Sequence, residues 1–377
     1  MKIAFIGCGK LGQPASEYFE TYNYEVNRAD VGDSIEDAVQ DCEYVFVAVP
    51  TPHDPRYDGK YVCSDLPPKD FDYSIVKEVV QEANKHMTEY QCLVLISTVL
   101  PGTITEQIAP LVTNTNFLYN PYLIAMGTVK QDMFDAEMIM IGGDNTWAKK
   151  LSKIYKRISK TDRHILGTYE EIESLKIFYN TFITTKITLC NMIQDVSHKL
   201  GNMNVDVVTK ALAESTMRIM SPKYMKAGMG DGGSCHPRDN IALKHLAEKL
   251  ELGYDLFGGL IKAREEQARN MAQYLHELSE YYKLPIVIVG KGFKPGLEYE
   301  DGSPSILVGQ FIENVKYDDF TTPAIFLLAH SAKTTFGINN DEYIFPEGSV
   351  IVDPWREREN AIWYGSDDKL LLRRNEL

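Results

Sequence analysis

The sequence contains no apolar run approaching the ~20 residues that a bilayer-spanning helix requires, so a membrane partner is not expected. Its opening, MKIAFIGCGKLG, breaks at glycines and lacks the long apolar stretch and small-residue cleavage site of a secretory signal. Cysteine is sparse and scattered: Cys8, Cys42, Cys63, Cys92, Cys190 and Cys235 form no CxxC pair. That spacing excludes a disulfide scaffold and a zinc ribbon; no metal is expected, and the reducing cytoplasm is the expected location. Basic residues are also short, 39 Lys and Arg against 53 Asp and Glu, for a net charge of −14. A nucleic-acid partner, which needs a basic face, is therefore not expected. Any anionic ligand must be held by a local cluster of cations and backbone N–H groups.

What is present is a folded, multidomain pattern. Hydrophobic residues make up 44% and charged residues 24% of 377, which separates the chain from disordered sequences. The first part alternates apolar runs with helical stretches. KIAFIG (2–7), YEVNRAD (24–30), CEYVFVAVP (42–50), CLVLIST (92–98) and NFLYNP (116–121) read as strands, and SIVKEVVQEANKHM (74–87) as a helix. This rhythm predicts an α/β fold with a doubly wound parallel sheet. The segment 50–68, rich in Pro, Asp and Tyr, reads as a loop over the sheet's C-terminal edge.

The period changes near Tyr169. Residues 170–200 run without Gly or Pro at helical spacing and predict one long helix, a connector and dimer face. Further helices are predicted over 204–215, 240–250 and 259–282. Strands PIVIVG (285–290), AIFLLAH (324–330) and SVIVDP (349–354), with a helix over 305–313, begin a second small α/β domain; the last ~20 residues read as a polar tail. The expected division is 1–168, an N-terminal Rossmann domain; 169–283, an all-helical middle domain; and 284–377, a small Rossmann-like domain.

Gly7-Cys8-Gly9-Lys10-Leu11-Gly12 is a GxGxxG sequence, placed after the first strand and opening a helix. Glycines there permit a tight turn and close approach of a pyrophosphate to backbone, and the helix start supplies N–H groups. Asp30 ends the second strand, where a carboxylate binds ribose hydroxyls and repels a 2′-phosphate; NAD is favoured over NADP, with Arg28 nearby.

The segment from Arg218 to Asp239 is the other informative stretch. Gly230, Gly232, Gly233 and Ser234 precede Cys235, while Arg218, Lys223, Lys226 and Arg238 bring positive charge into an acidic protein. Such a loop suits a diphosphate and favours a thiolate, so Cys235 reads as a nucleophile. The other five cysteines read as apolar filler.

GGSCHPRD (232–239) resembles the GGSC-x-P-K-D motif of the UDP-glucose/GDP-mannose dehydrogenase family. The resemblance runs in order through GxGxxG, VAVPTP (47–52), STVLPGT (97–103), NP (120–121), E-x-x-K-x-x-x-N (173–180), the cysteine segment and GKGFKPG (290–296). It implies oxidation of a nucleotide sugar's C6 alcohol by two NAD, through a Cys235 thioester; UDP-glucose is the expected substrate, from the spacing of Arg218 and Tyr224. It further implies Pro50, Thr51 and Thr98 as cofactor contacts, with Thr98 also orienting a water. Lys176 is implied to stabilise negative charge or move a proton, Asn180 to position oxygen or water, and Asp239 to hold a water. Tyr122, Lys176, Asn180, Arg218, Tyr224, Lys226, Gly232 and Lys294 are implied as substrate contacts, Arg218 by reaching the partner subunit of a homodimer.

Four departures accompany the resemblance. The family's NPEFLREG reads NPYLIAMG (120–127), so Tyr122 and Met126 replace two glutamates and Ala125 an arginine. Tyr122 is left to orient a water. Arg238 stands for a lysine, Gly302 for an arginine, and the chain is short between Ile312 and Val350. Three alternatives stay open: a GDP-mannose or other nucleotide-sugar 6-dehydrogenase; a β-hydroxyacid dehydrogenase, which shares K-x-x-x-N but uses no cysteine; and a nucleotide-sugar-binding protein that has lost efficient thioester hydrolysis.

Overall fold

The computed structural model describes residues 1–52, 67, 69–124, 128–200, 202–221, 227–230, 235–292, 300, 302–331 and 343–364, with backbone alone at 187, 191, 198, 235, 236, 238, 239 and 242. The chain forms two compact units, Met1–Lys186 and Ile187–Leu377.

In the first unit the strands are β1 (Lys2–Ile6), β2 (Glu25–Ala29), β3 (Tyr44–Val47), β4 (Cys92–Leu95), β5 (Asn116–Tyr119), β6 (Ile139–Gly143) and β7 (His164–Gly167). They form one sheet in the order β2-β1-β3-β4-β5-β6-β7. Every pairing is parallel except β5 with β6, where Leu118 faces Gly143 and Tyr119 faces Gly142. The parallel sheet expected over the first five strands is present, and β6 joins its edge antiparallel. Among the described residues the one element between β5 and β6 is the short helix α4 (Val129–Phe134), and the chain turns back beside β5.

Alternate residues of the central strands point to opposite faces, and both faces are buried. Ile6, Val45, Val47, Leu93, Leu95 and Tyr119 pack with Val76, Val80 and Ala83 of α3 (Ser74–His86) and with Val39 of α2 (Ile35–Val39). Phe5, Phe46, Val94 and Leu118 pack with Ala15 and Phe19 of α1 (Gly12–Glu20) and with Leu151, Tyr155 and Ile158 of α5 (Asn145–Ile158). Helices therefore cover both sides, which makes the strands continuous apolar runs.

The helix α6 (Tyr169–Leu200) spans 32 residues, as the uninterrupted period predicts. Ile172 is fully buried against the first sheet, whereas Phe178, Phe182, Ile183 and Leu189 are exposed. Cys42 and Cys92 are buried filler, as expected. Burial pushes the Cys42 thiol up to about 11. Cys8 is half-buried. Cys190 departs from its expectation, because it lies on the exposed part of α6.

In the second unit, helices α7 (Val205–Ala213), α8 (Cys235–Lys249) and α9 (Leu256–Tyr282) precede a five-stranded sheet. Its strands are β8 (Ile286–Val289), β9 (Lys316–Tyr317), β10 (Ile325–Leu328), β11 (Val350–Asp353) and β12 (Ile362–Trp363), in the order β12-β11-β10-β8-β9, all parallel. Ala268, Met271, Ala272, Leu275 and Leu278 form an apolar stripe on α9 at helical spacing. That stripe covers Ile286, Ile288, Ile325, Leu327 and Val352. The helix α10 is shorter than expected, Pro304–Gly309. A Cβ at Gly309 would meet the Tyr317 hydroxyl at 1.9 Å, so the chain there is pressed against β9. Among the described residues no helix is long and apolar enough to cross a membrane.

Candidate active site

A cleft of about 430 Å³ opens at the C-terminal edge of the first sheet. Each neighbouring strand contributes the residues that follow it: Gly9, Lys10 and Leu11 after β1, Ala48 to Thr51 after β3, Ile96 to Thr98 after β4, and Tyr122 and Ile124 after β5. Lys176 enters from α6. The chain leaves β1 toward β2 on one side and returns to β3 on the other, so the cleft sits where ligands bind doubly wound sheets.

The three glycines of the first turn do different work. Gly7 has φ +90°, and its N–H donates to Ala29 O at 2.9 Å, which ties the turn to β2. A Cβ on Gly12 would stand 1.8 Å from Gly7 O, so only glycine lets the helix pack on the turn. A Cβ on Gly9 would meet nothing within 4 Å; the space is open toward the cleft. The start of α1 has no side-chain cap and no acidic residue in its first turn. The bare backbone at Gly9 and the positive end of the helix dipole together fit a pyrophosphate.

Asp30 follows β2 directly and is exposed; one carboxylate oxygen accepts the Val31 N–H at 2.9 Å. Arg28 is engaged elsewhere: its Nε donates to Ser16 Oγ at 2.7 Å and its guanidinium pairs with Glu20 at 2.8 Å. Both features fit a ribose diol without a 2′-phosphate, hence NAD.

Lys176 is 9% exposed and its Nζ donates to Tyr122 O at 2.7 Å. Burial alone pushes its ammonium below the usual lysine range. An amine at the cleft wall has the chemistry to donate a hydrogen bond to a ligand oxygen. Thr98 also lines the cleft, its carbonyl accepting the Thr51 hydroxyl at 2.9 Å. Ser97 Oγ donates to Val49 O at 2.5 Å, so the β3 and β4 edges are tied together.

Tyr122 corrects an expectation. Its hydroxyl does not face a water in the cleft; it is buried and bonded to the Tyr155 hydroxyl at 2.9 Å. Burial raises its ionisation further above the normal phenol range. Tyr155 in turn donates to Asn120 Oδ1 at 2.5 Å, and Asn120 Nδ2 to Met140 O at 2.7 Å. This chain sits beneath the cleft and fixes the backbone whose carbonyl holds Lys176.

The sequence motifs assign no role to Glu173, which has no exposed surface. Its carboxylate accepts the Gly102 N–H at 2.6 Å and the Ile104 N–H at 2.7 Å. The signal for it was its spacing, three residues before Lys176 on one helix face. Asn180, one turn beyond Lys176, is exposed.

The remaining site residues lie in the second unit. Cys235 opens α8 rather than ending a loop, and Asp239 follows one turn later on that helix. Pro237 in the first turn costs nothing there, because its missing N–H has no intrahelical acceptor. Arg218 is exposed in the turns after α7. Tyr224, Lys226, Gly232, Lys294, Met126, Ala125, Cys63 and most of 50–68, as well as the tail beyond 364, lie outside the described residues.

Fold and cleft define a dinucleotide-binding α/β protein. The chain belongs to the UDP-glucose/GDP-mannose dehydrogenase family: residues 22–159 match the family's NAD binding domain and residues 170–265 its central domain. It is 26% identical over 315 residues to UDP-glucose 6-dehydrogenase YwqF of Bacillus subtilis, covering 80% of this chain and 67% of that protein. It is 24% identical over 332 residues to GDP-mannose 6-dehydrogenase of Pseudomonas aeruginosa, covering 84% and 72%. The chain spans about two thirds of the length of such relatives, 63% for UDP-glucose 6-dehydrogenase of Rickettsia felis. Among solved structures, GDP-mannose dehydrogenase from Pseudomonas aeruginosa shares the fold at TM-score 0.78 and 20% identity, covering 96% of this chain and 99% of that one. UDP-glucose dehydrogenase from Pyrobaculum islandicum matches at TM-score 0.51 and 19% identity, covering 96% of each.

Proposed function

We propose that this protein is an NAD-dependent nucleotide-sugar 6-dehydrogenase that oxidises UDP-glucose to UDP-glucuronate. The observation that carries the reading is a buried lysine amine inside the cleft that the Gly9 turn opens to a dinucleotide. The relatives' names point to the same chemistry.

When bound, NAD accepts a hydride from the sugar's C6 carbon. Lys176 Nζ donates to the C6 oxygen and stabilises charge as the alcohol loses its proton. Thr98 orients a water beside the sugar, and Asn180 positions an oxygen. Cys235 sulfur adds to the resulting aldehyde carbon, and the former carbonyl oxygen gains a proton. Loss of a second hydride and that proton converts the adduct to a thioester, and water then cleaves the C–S bond to give carboxylate and free thiol. Two NAD and one water are consumed per sugar. Asp239, one turn along α8 from Cys235, holds the water. Tyr224, Lys226, Gly232 and Lys294 bind the nucleotide sugar. Arg218 reaches the partner of a homodimer, a state supported by the exposed apolar residues of α6. The same reading puts the enzyme in the cytoplasm.

The test is a panel of UDP-glucose, GDP-mannose and UDP-N-acetyl sugars with NAD. Two NADH and one uronate per UDP-glucose are expected. One NADH per substrate would instead favour a single-oxidation enzyme, and no NADH from any sugar would overturn the reading.

A further inference from the structure

Glu173 poses a physical problem. It is fully buried, burial holds its acidity weaker than that of a free carboxyl, and the Glu170 and Glu106 carboxylates add repulsion. A buried charge without a cation is costly, and stability alone is better served by an apolar side chain. Both of its oxygens nevertheless accept backbone N–H groups from one segment, so the geometry is that of the ionised carboxylate.

That segment, 98–104, carries Thr98 at one end. Gly102 has φ +89°, a left-handed turn, and its N–H and that of Ile104 both reach the carboxylate. Thr103, which heads the following helical turn, gives it no side-chain cap; Glu173 supplies the acceptor from another element. On its other side the segment is held by the Tyr73 hydroxyl, which accepts the Leu100 N–H at 3.2 Å. The cleft end is pinned by Thr51 at the Thr98 carbonyl.

We propose that Glu173 is a positioning residue: it clamps the Thr98 segment to the helix that carries Lys176, and so fixes the separation of two groups that line the cleft. This rests on the reaction proposed above for its kinetic consequence. The clamp itself is independent of it.

The experiment is a double-mutant cycle. Glu173→Gln is isosteric but keeps one acceptor and sets an NH₂ against the second N–H. It is expected to lower kcat/KM about 30-fold, mostly in kcat, at unchanged stoichiometry. In a Thr98→Ala background the same change is expected to cost less than about threefold. Equal losses in both backgrounds, or no loss, would overturn the proposal and leave a residue of structure only. Should Glu173→Gln fail to fold, Glu173→Asp, which retracts the carboxylate by one methylene, carries the same cycle: a smaller loss in the Thr98→Ala background supports the clamp, and equal losses overturn it. Hydrogen exchange gives a readout that needs no turnover: Glu173→Gln is expected to speed exchange across 98–108 at least about tenfold while α5 is unchanged. Unchanged exchange in 98–108 overturns the clamp. A wild type that makes no NADH from any nucleotide sugar defeats the proposed reaction, and the exchange result then decides the clamp alone.

Discussion

The two sheets begin alike and finish differently. β1 is flanked by β2 and β3, and β8 is flanked by β9 and β10, so the first three strands of each unit share one order. Each first strand ends in a glycine at nearly the same left-handed φ, +90° at Gly7 and +94° at Gly290. Gly7 donates its N–H to the backbone of Ala29, after which the Gly9 face stays open. Gly290 donates instead to the Asp318 side chain at 2.7 Å. A Cβ on Gly290 would strike the His330 ring at 2.5 Å, and that ring is bonded to Gly292 O at 2.7 Å. The shared start is thus crowded in both units, by the Ala48 backbone 2.9 Å from a Cβ on Gly7 and by the His330 imidazole 2.5 Å from one on Gly290. In both units a glycine with positive φ starts the turn after the first strand; what packs against that glycine comes from a neighbouring parallel strand, Ala48 after β3 in one and His330 after β10 in the other.

On the proposed reaction the first unit would hold the hydride acceptor and the second would supply the thiol, a division that can be broken from either side. The largest expected effect is Cys235→Ser: formation of the acid should fall more than about 1,000-fold, measured as uronate by mass, since a hydroxyl neither adds nor leaves as a thiol does. Retention of full two-step turnover would remove the thioester. Lys176→Met should lower kcat about 100-fold or more, with NADH binding retained in a fluorescence titration.

Glycine substitutions sharpen the contrast between the sheets. Gly9→Ala should weaken NADH binding at least about tenfold while leaving the thermal midpoint nearly unchanged, because its methyl enters only the ligand's space. Gly290→Ala should do the reverse, costing about 1–3 kcal/mol in denaturant unfolding with NADH affinity intact. Tyr122→Phe should cost about 1 kcal/mol through loss of the buried bond to the Tyr155 hydroxyl, which keeps its bond to Asn120 Oδ1, with turnover per folded molecule changed less than about twofold. A large kinetic loss there would return the hydroxyl to the cleft.

The smallest effect is a pH dependence. The folded state lowers the Lys176 ammonium's acidity range, so it disfavours the charged form. That cost is complete below the lowered folded value and is relieved as pH rises through it toward the unfolded lysine range. The thermal midpoint of Lys176→Met relative to wild type should therefore be highest at neutral pH and decline as pH rises toward 10. An advantage that grows with pH would contradict the burial.

Much of the fold is legible in the residues. Strands β1 to β5, α3, α6, α9 and the strands β8, β10 and β11 follow from apolar runs and helical spacing. β6 and β7 do not, because IMIGG is short and ends in glycines, and HILG is a half-exposed edge with little pattern. The antiparallel turn of β6 depends on how a short connection packs, which no local period records. At the site, the Gly7–Gly12 turn and Lys176 are readable, whereas Glu173 is not. A glutamate on a helix with charged neighbours reads as solvated until a turn from another strand is laid over it.

By itself the sequence determined which residues are alternately apolar, where glycine must stand, and where a lysine recurs one helical turn from an asparagine. Those are local properties, set by backbone sterics and by the periods of strand and helix. Only the tertiary structure decided that Tyr122 turns into the core, that Arg28 is spent on Glu20 and Ser16, and that Glu173 grips the turn at Gly102. Each of these joins residues brought together across the sheet, and burial, which gives each its energetic weight, exists only once the sheet and its helices have closed on one another.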